Sequence, residues 1–332
     1  MRNSAAGQQP GRPDPMPSWV DPELATLTHQ RFSDPSWIFE RKLDGERCLV
    51  FAGPDGVRLM SRNQRDITST FPEVAQALAA RRGGDLVADG EIVAFDGAQT
   101  RFSQLQQRLG VVSPAQRLLR SVPVYLYLFD IMFVAGQDTR SLPLGERNTL
   151  LADALAFEGP LRFTEHRDRD GEAYWAQACQ DGWEGLIAKR ADAPYRGGRS
   201  RDWLKFKCEN AQEFVIGGYT DPQRSRVGFG ALLLGYYGRG GDLVYAGKVG
   251  TGFDNETLRR LHAMLARQEQ DQTPFSRGRV TGLRGVHWVK PKLVGQVAFT
   301  EWTEDGQLRH PRFQGLRDDK EARDVVKEEA SA

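Results

Sequence analysis

Across residues 37–60 the apolar residues fall in runs of strand length, and Gly53-Pro54-Asp55-Gly56 interrupts them where a chain would reverse. Runs this short favour strands over helices, and a turn of that composition joins antiparallel neighbours. Sheet therefore dominates the expected fold. Helical spacing over 71–82, with Thr70 placed as the N-cap and Pro72 in the first turn, predicts a helix. Strands follow at 86–88 and 92–95, then a short helix at 102–109. A half-buried strand at 122–129 presents Tyr125, Tyr127 and Phe129 on one side. Residues 145–156 and 171–180 read as amphipathic helices, and 185–188 and 203–207 as strands.

The texture changes after Lys207. Gly-rich strands are expected at 213–219, 231–237, 243–249, 286–289 and 294–302, interrupted by one helix at 255–267. Short strands with a single helix suggest a small barrel, the OB-fold first among them. A chain of 332 residues has room for two ordinary domains. The expected division is a flexible tail over 1–18, an α+β domain of antiparallel sheets with helices over 19–209, and a β-barrel over 210–332.

Apolar residues make up 39% and charged residues 27%, ordinary for a protein with a real core and a solvated surface. No apolar run approaches the roughly 20 residues that cross a bilayer, and the first residues lack a signal-peptide core. No membrane partner is expected, and a cytoplasmic location is. Cys48, Cys179 and Cys208 lack zinc-site spacing, and their odd number argues against a disulfide framework; buried apolar roles are expected. The net charge of +1 announces no nucleic-acid partner. One stretch, with Arg277, Arg279, Arg284, Lys290, Lys292 and His287, holds no acid, and reads either as a solvated loop or as a duplex contact.

The chemistry concentrates at Glu40-Arg41-Lys42-Leu43-Asp44-Gly45-Glu46-Arg47, between one strand and the next. A lysine held there can face a cleft. To attack a phosphate its amine must lose a proton, which nearby cations and desolvation favour by lowering its pKa. Asp44 can orient the loop, Gly45 permits the turn, and Arg47 supplies a donor fork for phosphate or ribose. Glu91, in Asp89-Gly90-Glu91, and Glu184, in Glu184-Gly185-Leu186, begin strands; two carboxylates on one cleft suit a ribose hydroxyl and a magnesium ion. In Trp203-Leu204-Lys205-Phe206-Lys207 the lysines share a face, from which they can neutralise charge building on a phosphate.

This series resembles the nucleotidyltransferase superfamily of ATP-dependent DNA ligases, RNA ligases and messenger-RNA capping enzymes, over residues 22–327. Its wording is most similar to the ligase domain of bacterial ligase D, through Pro194-Tyr195-Arg196-Gly197-Gly198-Arg199, Gly247-Lys248-Val249-Gly250 and His310-Pro311-Arg312-Phe313 onward to Arg317-Asp318-Asp319-Lys320. The resemblance implies an adenylyltransferase domain, ATP-grasp-like in its sheets, followed by an OB-fold. It makes Lys42 the nucleophile that becomes bonded to AMP, and Glu40 a contact to the adenine amino group. Arg47 and Arg62 would contact ribose and the nick phosphate. Glu91 would hold ribose or metal, Glu184 the metal, and Lys205 and Lys207 the α-phosphate. Phe129 would stack on adenine, with a plain core role as the rival reading. Arg317 and Lys320 would orient the departing pyrophosphate when the barrel swings over the cleft.

The implied cofactors are ATP and Mg2+, with Mn2+ as its substitute. The implied partner is nicked or broken duplex DNA, in end joining or other repair at the nucleoid, with Ku or another end-binding protein as a candidate helper and the chain itself a monomer. An RNA ligase or GTP-using capping enzyme shares the lysine chemistry, and an inactive nucleic-acid-binding module is the rival from another class. An NAD-dependent ligase is disfavoured, because no nicotinamide-binding segment precedes Lys42.

Overall fold

A computed structural model describes residues 14–222, 226–278, 280 and 283–328. Up to Lys207 the chain builds two sheets. In the larger, the strands Gly56–Ser61, Glu46–Gly53, Leu86–Asp96, Val124–Val134 and Gln137–Asp138 lie side by side. The other sets Glu23–Leu27, Gly198–Lys207, Gly185–Arg190, Trp37–Arg41 and His166–Asp168 in that order. Pairing is antiparallel except where Glu23–Leu27 runs parallel to Gly198–Lys207 and Leu161–Phe163 runs parallel to Val124–Val134. The antiparallel expectation is corrected at those two pairs.

Alternation explains the packing. On Val124–Val134, Leu126 and Leu128 enter the main apolar cluster, while Tyr125 and Tyr127 stay half-buried against the ring of Phe95. The Leu144–Ala154 helix is tied to this strand by Arg147, whose Nε and Nη2 donate to Asp130 at 2.7 and 2.9 Å in a fully buried pair. The Gly171–Gln180 helix covers the smaller sheet, its Tyr174 and Ala178 packing with Phe39 and Phe206.

Two local expectations change. The Pro72–Ala79 helix has Phe71 at its N-cap and no side-chain cap; the Thr70 carbonyl instead accepts from Arg108 Nη2 at 3.0 Å. Arg108 is fully buried and gathers Thr70 O, Val122 O and Glu73, so that stretch is ordered around a guanidinium. Cys179 and Cys208 form a disulfide, with S–S 2.03 Å. An odd cysteine count excludes neither bridge nor thiol: the helix laid on the sheet brings two of the three cysteines together, and Cys48 remains a buried thiol.

From Asn210 a third sheet begins. The eleven-residue strand Asn210–Thr220 pairs with Val294–Phe299 along its first half and with Val286–Val289 along its last residues. Such a bent shared strand curls the sheet, and Leu232–Tyr237, Leu243–Val249 and Arg312–Leu316 extend it. The Asn255–Ala266 helix, capped by Asp254 accepting from Thr257 N at 2.7 Å, lays Leu258, Leu261 and Leu265 on the curl. The architecture is OB-fold-like.

Arg277, Arg284, Lys290 and Lys292 are exposed on it, and Arg279 lies outside the described residues. His287 is engaged by acids, 2.9 Å from Asp221 and 3.6 Å from Glu269, and stacks on Tyr219.

Candidate active site

Lys42 directly follows the Trp37–Arg41 strand and lines a cavity of about 260 Å³ between the first two sheets and the curled one. Its backbone N–H donates to Gly185 O at 2.9 Å, which ties the loop to the neighbouring strand. Asp44 fixes the next turn: its N–H donates to Thr100 Oγ1 at 3.2 Å, and its carboxylate accepts from Phe102 N at 3.0 Å. A Cβ at Gly45 would stand 2.2 Å from Ile92 O. Glycine is needed there for close approach of backbone to sheet, a different reason from the turn expected of it. Gly185, with φ +144° and a Cβ position 1.9 Å from Phe206 O, sets Glu184 beside the loop in the same way.

Lys42 Nζ lies 2.5 Å from Glu184 Oε1. Burial pushes the amine down, but Glu184, Asp44 and Glu91 outweigh it, and the lysine pKa is raised. The expectation that neighbouring cations lower it is corrected for this state, because carboxylates are what surround the amine. Glu91 lines the same cavity, with burial driving its carboxyl up to about 7 against the pull of Arg47, Lys42 and Arg317.

Two residues before Lys42, Glu40 is buried, with Oε2 2.7 Å from Lys189 Nζ and Oε1 lacking any hydrogen-bond partner. Burial raises this carboxyl to about 7, although Lys189 draws it down. The Lys189 amine sits 4.2 Å from the Phe129 ring centre and 4.1 Å from that of Trp203. Phe129 both lines the cavity and packs edge-on against Trp203, so the stacking and core roles do not compete for it.

Arg47 is a correction. Its Nε and Nη2 donate to Asp89 Oδ1 and Oδ2, each at 2.5 Å, and Nη2 also reaches Glu23 O at 3.0 Å. The fork expected to grip a phosphate is thus committed to a fully buried aspartate, which also accepts from Tyr195 OH at 2.6 Å. Arg62 lines the cavity, and burial lowers its pKa.

Lys205 and Lys207 share one face of Gly198–Lys207 with Trp203, and all three line the cavity. Across from them stand residues of the curled sheet. Arg317 donates from Nε and Nη2 to Asp319 at 2.8 Å and lies 4.2 Å over the Phe102 ring, while Lys320 Nζ is 3.4 Å from Glu213. Asn63 Nδ2 donates to Asp319 O at 3.1 Å, Gln106 Nε2 to Leu316 O at 2.8 Å, and Arg65 pairs with Glu321. The barrel is therefore closed over the cleft, and every nucleotide-site candidate named from the sequence lines one cavity, while Arg277, Arg284, Lys290 and Lys292 of the basic stretch lie outside it.

Several charged lining residues were given no role by the sequence reading, Glu46, Lys189, Asp319 and Glu328 among them. Strand alternation carries a signal for Lys189, which shares a face with Ile187 and pairs in register with Trp203. Glu46 is buried with Oε2 unpartnered, and burial together with Asp319 and Glu91 pushes its carboxyl up to about 8. Its partners come from distant segments, so nothing local marks it. Among the described residues no group of three or more His, Cys, Asp or Glu side chains is arranged to hold a metal. Mg2+ typically takes one or two carboxylates and completes its shell with water and substrate phosphates, so Glu91 and Glu184 suit it as a donor set.

A lysine among carboxylates and cations, in a cleft between paired sheets and an OB-like barrel, defines a nucleotidyltransferase. Residues 22–207 match the model of the ATP dependent DNA ligase domain, and residues 225–320 that of the ATP dependent DNA ligase C terminal region. The chain belongs to the ATP-dependent DNA ligase family. It is 38% identical to the multifunctional non-homologous end joining protein LigD of Pseudomonas aeruginosa, with 98% of this chain and 39% of that protein covered. The identity to LigD of Mycobacterium tuberculosis is also 38%, over 88% of this chain and 37% of that protein. The chain thus spans under two fifths of the length of these relatives. The structure titled mycobacterial DNA ligase D complexed with ATP and MES superposes with a TM-score of 0.66 at 36% identity, covering 93% of this chain and 98% of that one. Among the described residues no helix is long and apolar enough to cross a membrane.

Proposed function

We propose that this chain seals nicks or breaks in duplex DNA, through AMP bonded first to Lys42 and then to a 5′-phosphate. The observation that carries the reading is the convergence of Lys42, Glu184, Glu91, Lys205 and Lys207 on one cavity, with Arg317 and Lys320 across it. ATP enters with its adenine against Phe129, where the free Oε1 of Glu40 accepts from the exocyclic amine. Arg47, held by Asp89, serves as a fixed positive wall, and Arg62 meets ribose or the nick phosphate. Glu184 and Glu91 would hold Mg2+, or Mn2+ in its place, and that ion would supply positive charge against the phosphate oxygens.

Once Glu184 turns from Lys42, the amine keeps its burial and loses its nearest counter-charge, and both favour the neutral nucleophile. Lys42 Nζ then attacks the α-phosphorus, Lys205 and Lys207 take up the charge on the phosphate oxygens, and pyrophosphate leaves towards Arg317 and Lys320. The AMP next passes to the 5′-phosphate, and the adjoining 3′-hydroxyl displaces it to close the strand.

We read Cys208-Glu209 as the link between an adenylyltransferase domain over 19–209 and the barrel over 210–332, with a tail over 1–18. The exposed Arg277, Arg284, Lys290 and Lys292 are a candidate duplex contact, to which Arg279 belongs by sequence. We place the protein in the cytoplasm with the nucleoid, as a monomer acting in end joining or other repair, with Ku or another end-binding protein as a helper. The supports are the LigD likeness and the small net charge of +1, which gives weak grip on DNA unaided. Incubation with α-labelled ATP or GTP, followed by nicked DNA or RNA, tests the core of the reading. ATP should label the protein and nicked DNA should be sealed. Lys42→Ala should abolish labelling, and persistent labelling in that variant would sink the assignment.

A further inference from the structure

The lysine pair opposite Lys42 already has an occupant. Lys205 Nζ donates to Glu328 Oε1 at 2.6 Å, and Lys207 Nζ donates to Glu328 Oε2 at 2.7 Å. Glu328 belongs to the chain that follows the barrel's last strand, Arg312–Leu316, and its approach is built. Tyr237 N donates to Val325 O at 2.7 Å, Gln212 Nε2 donates to Val326 O at 3.4 Å, and Glu328 N donates to Gln212 Oε1 at 3.2 Å. Val325 is buried in the apolar cluster of Tyr237 and Leu243, and Lys327 lies 4.3 Å over the Trp302 ring. The barrel thus holds the backbone of this segment, while its carboxylate reaches the other domain.

Lys207 and Glu328 also line a second cavity of about 210 Å³, bounded by Leu27, Phe299 and Trp302. Together they stand between the two spaces. A carboxylate bridging two amines offers what a phosphate offers, paired anionic oxygens accepting from both. Burial alone would raise the Glu328 carboxyl, but Lys207 and Lys205 hold it at about 2. It therefore stays ionised wherever a ligase would work. Glu213, the other carboxylate acting on this pair, is shared with Lys320 and Arg317 on its own domain.

We propose that residues 325–328 form a strap whose Glu328 occupies the phosphate site of the nucleotide-free enzyme and competes with ATP for Lys205 and Lys207. The strap has to release the pair before Lys42 is adenylylated. This rests on the reading of Lys205 and Lys207 as α-phosphate ligands. A site whose competent form is populated a fraction of the time binds more weakly by that fraction, so a strap seated nine times in ten costs about tenfold in affinity.

A purely structural latch predicts the opposite sign. If Glu328 served only to hold the barrel shut, its loss would open the cleft and weaken nucleotide binding. Titrating the full chain with Mg2+ and α,β-methylene-ATP, which cannot yield AMP, separates the two. Glu328→Ala and Glu328→Gln should each lower the Kd, by about tenfold for the alanine variant. In the Glu328→Ala background, where no strap competes, Lys205→Ala and Lys207→Ala should raise it. An unchanged or higher Kd in both Glu328 variants, with the lysine variants still weakened, overturns the strap and leaves the phosphate reading standing. Lysine variants that bind as tightly as the Glu328→Ala chain they are built on overturn the phosphate reading, and the strap with it. Thermal melts that match the parent show that the Glu328 variants are folded.

Discussion

Glu40 and Lys189 form a buried ion pair at the aromatic wall of the cleft, and such pairs are costly to break because the remaining charge has nowhere to go. Lys189→Met should therefore cost about 3–5 kcal/mol of stability at about pH 8. Burial already pushes Glu40 up to about 7, and without Lys189 it would rise further. A carboxyl whose folded pKa is raised keeps its stabilising proton at low pH and loses it as the pH climbs. The cost of Lys189→Met should then shrink at about pH 5.5, where Glu40 can take up a proton. Urea melts at both values check this, and equal costs would remove the linkage. Glu46 gives a second case. Only the folded chain holds its proton between the ordinary carboxylate range and about 8, so stability falls as pH rises through that window. Glu46→Gln should flatten the curve, gaining a few degrees of Tm on the parent between about pH 5 and about pH 9; parallel curves would refute it. Lys42 and Asp44 were legible in the sequence because one short loop fixes both. Glu46 and Glu328 were not, because their surroundings come from other segments of the chain, Asp319 and Glu91 for the one and Lys205 and Lys207 for the other.

At the level of elements, strand texture and turn residues located most of the sheet, since alternation is a local property. The Glu23–Leu27 strand escaped because its partner, Gly198–Lys207, lies far along the chain and runs parallel to it. The Thr70 cap failed for a related reason: Arg108, from beyond the next strand, claims the Thr70 carbonyl. The disulfide is the largest change of this kind. It staples the last turn of Gly171–Gln180 to the residue after Gly198–Lys207, the strand that carries Lys205 and Lys207. Closing a loop with a sequence separation of 29 constrains the unfolded chain by roughly 3–4 kcal/mol in the chain-entropy model. Cys179→Ala should lower Tm, and dithiothreitol should lower the parent's Tm while leaving the variant's unchanged. A parent melt indifferent to reductant would show that the bridge contributes nothing to the fold.

Across the whole molecule, the cleft belongs to neither domain alone. Arg317, Asp319 and Lys320 lie just beyond the Arg312–Leu316 strand, and meet the Lys42 cavity because the barrel is closed, held by Asn63, Arg65 and Gln106. A closed barrel shields the cleft for chemistry on a small nucleotide, whereas the duplex proposed as its substrate would need that same space. On the proposed function, the two halves of the reaction would call for different arrangements of the same parts. If Arg317 and Lys320 serve pyrophosphate departure, they matter where pyrophosphate is present and not afterwards. Arg317→Ala and Lys320→Ala should each slow labelling of Lys42 by α-labelled ATP, by roughly 10²-fold or more for a lost charge contact in the transition state. Sealing of a nick supplied with its 5′-phosphate already adenylated should stay within a few-fold of the parent, since no pyrophosphate leaves in that step. Single-turnover assays of both steps on the same preparations make the comparison internal. Equal losses in the two assays would mean that these residues shape the closed cleft in general, and that the barrel does not divide its work between nucleotide and DNA.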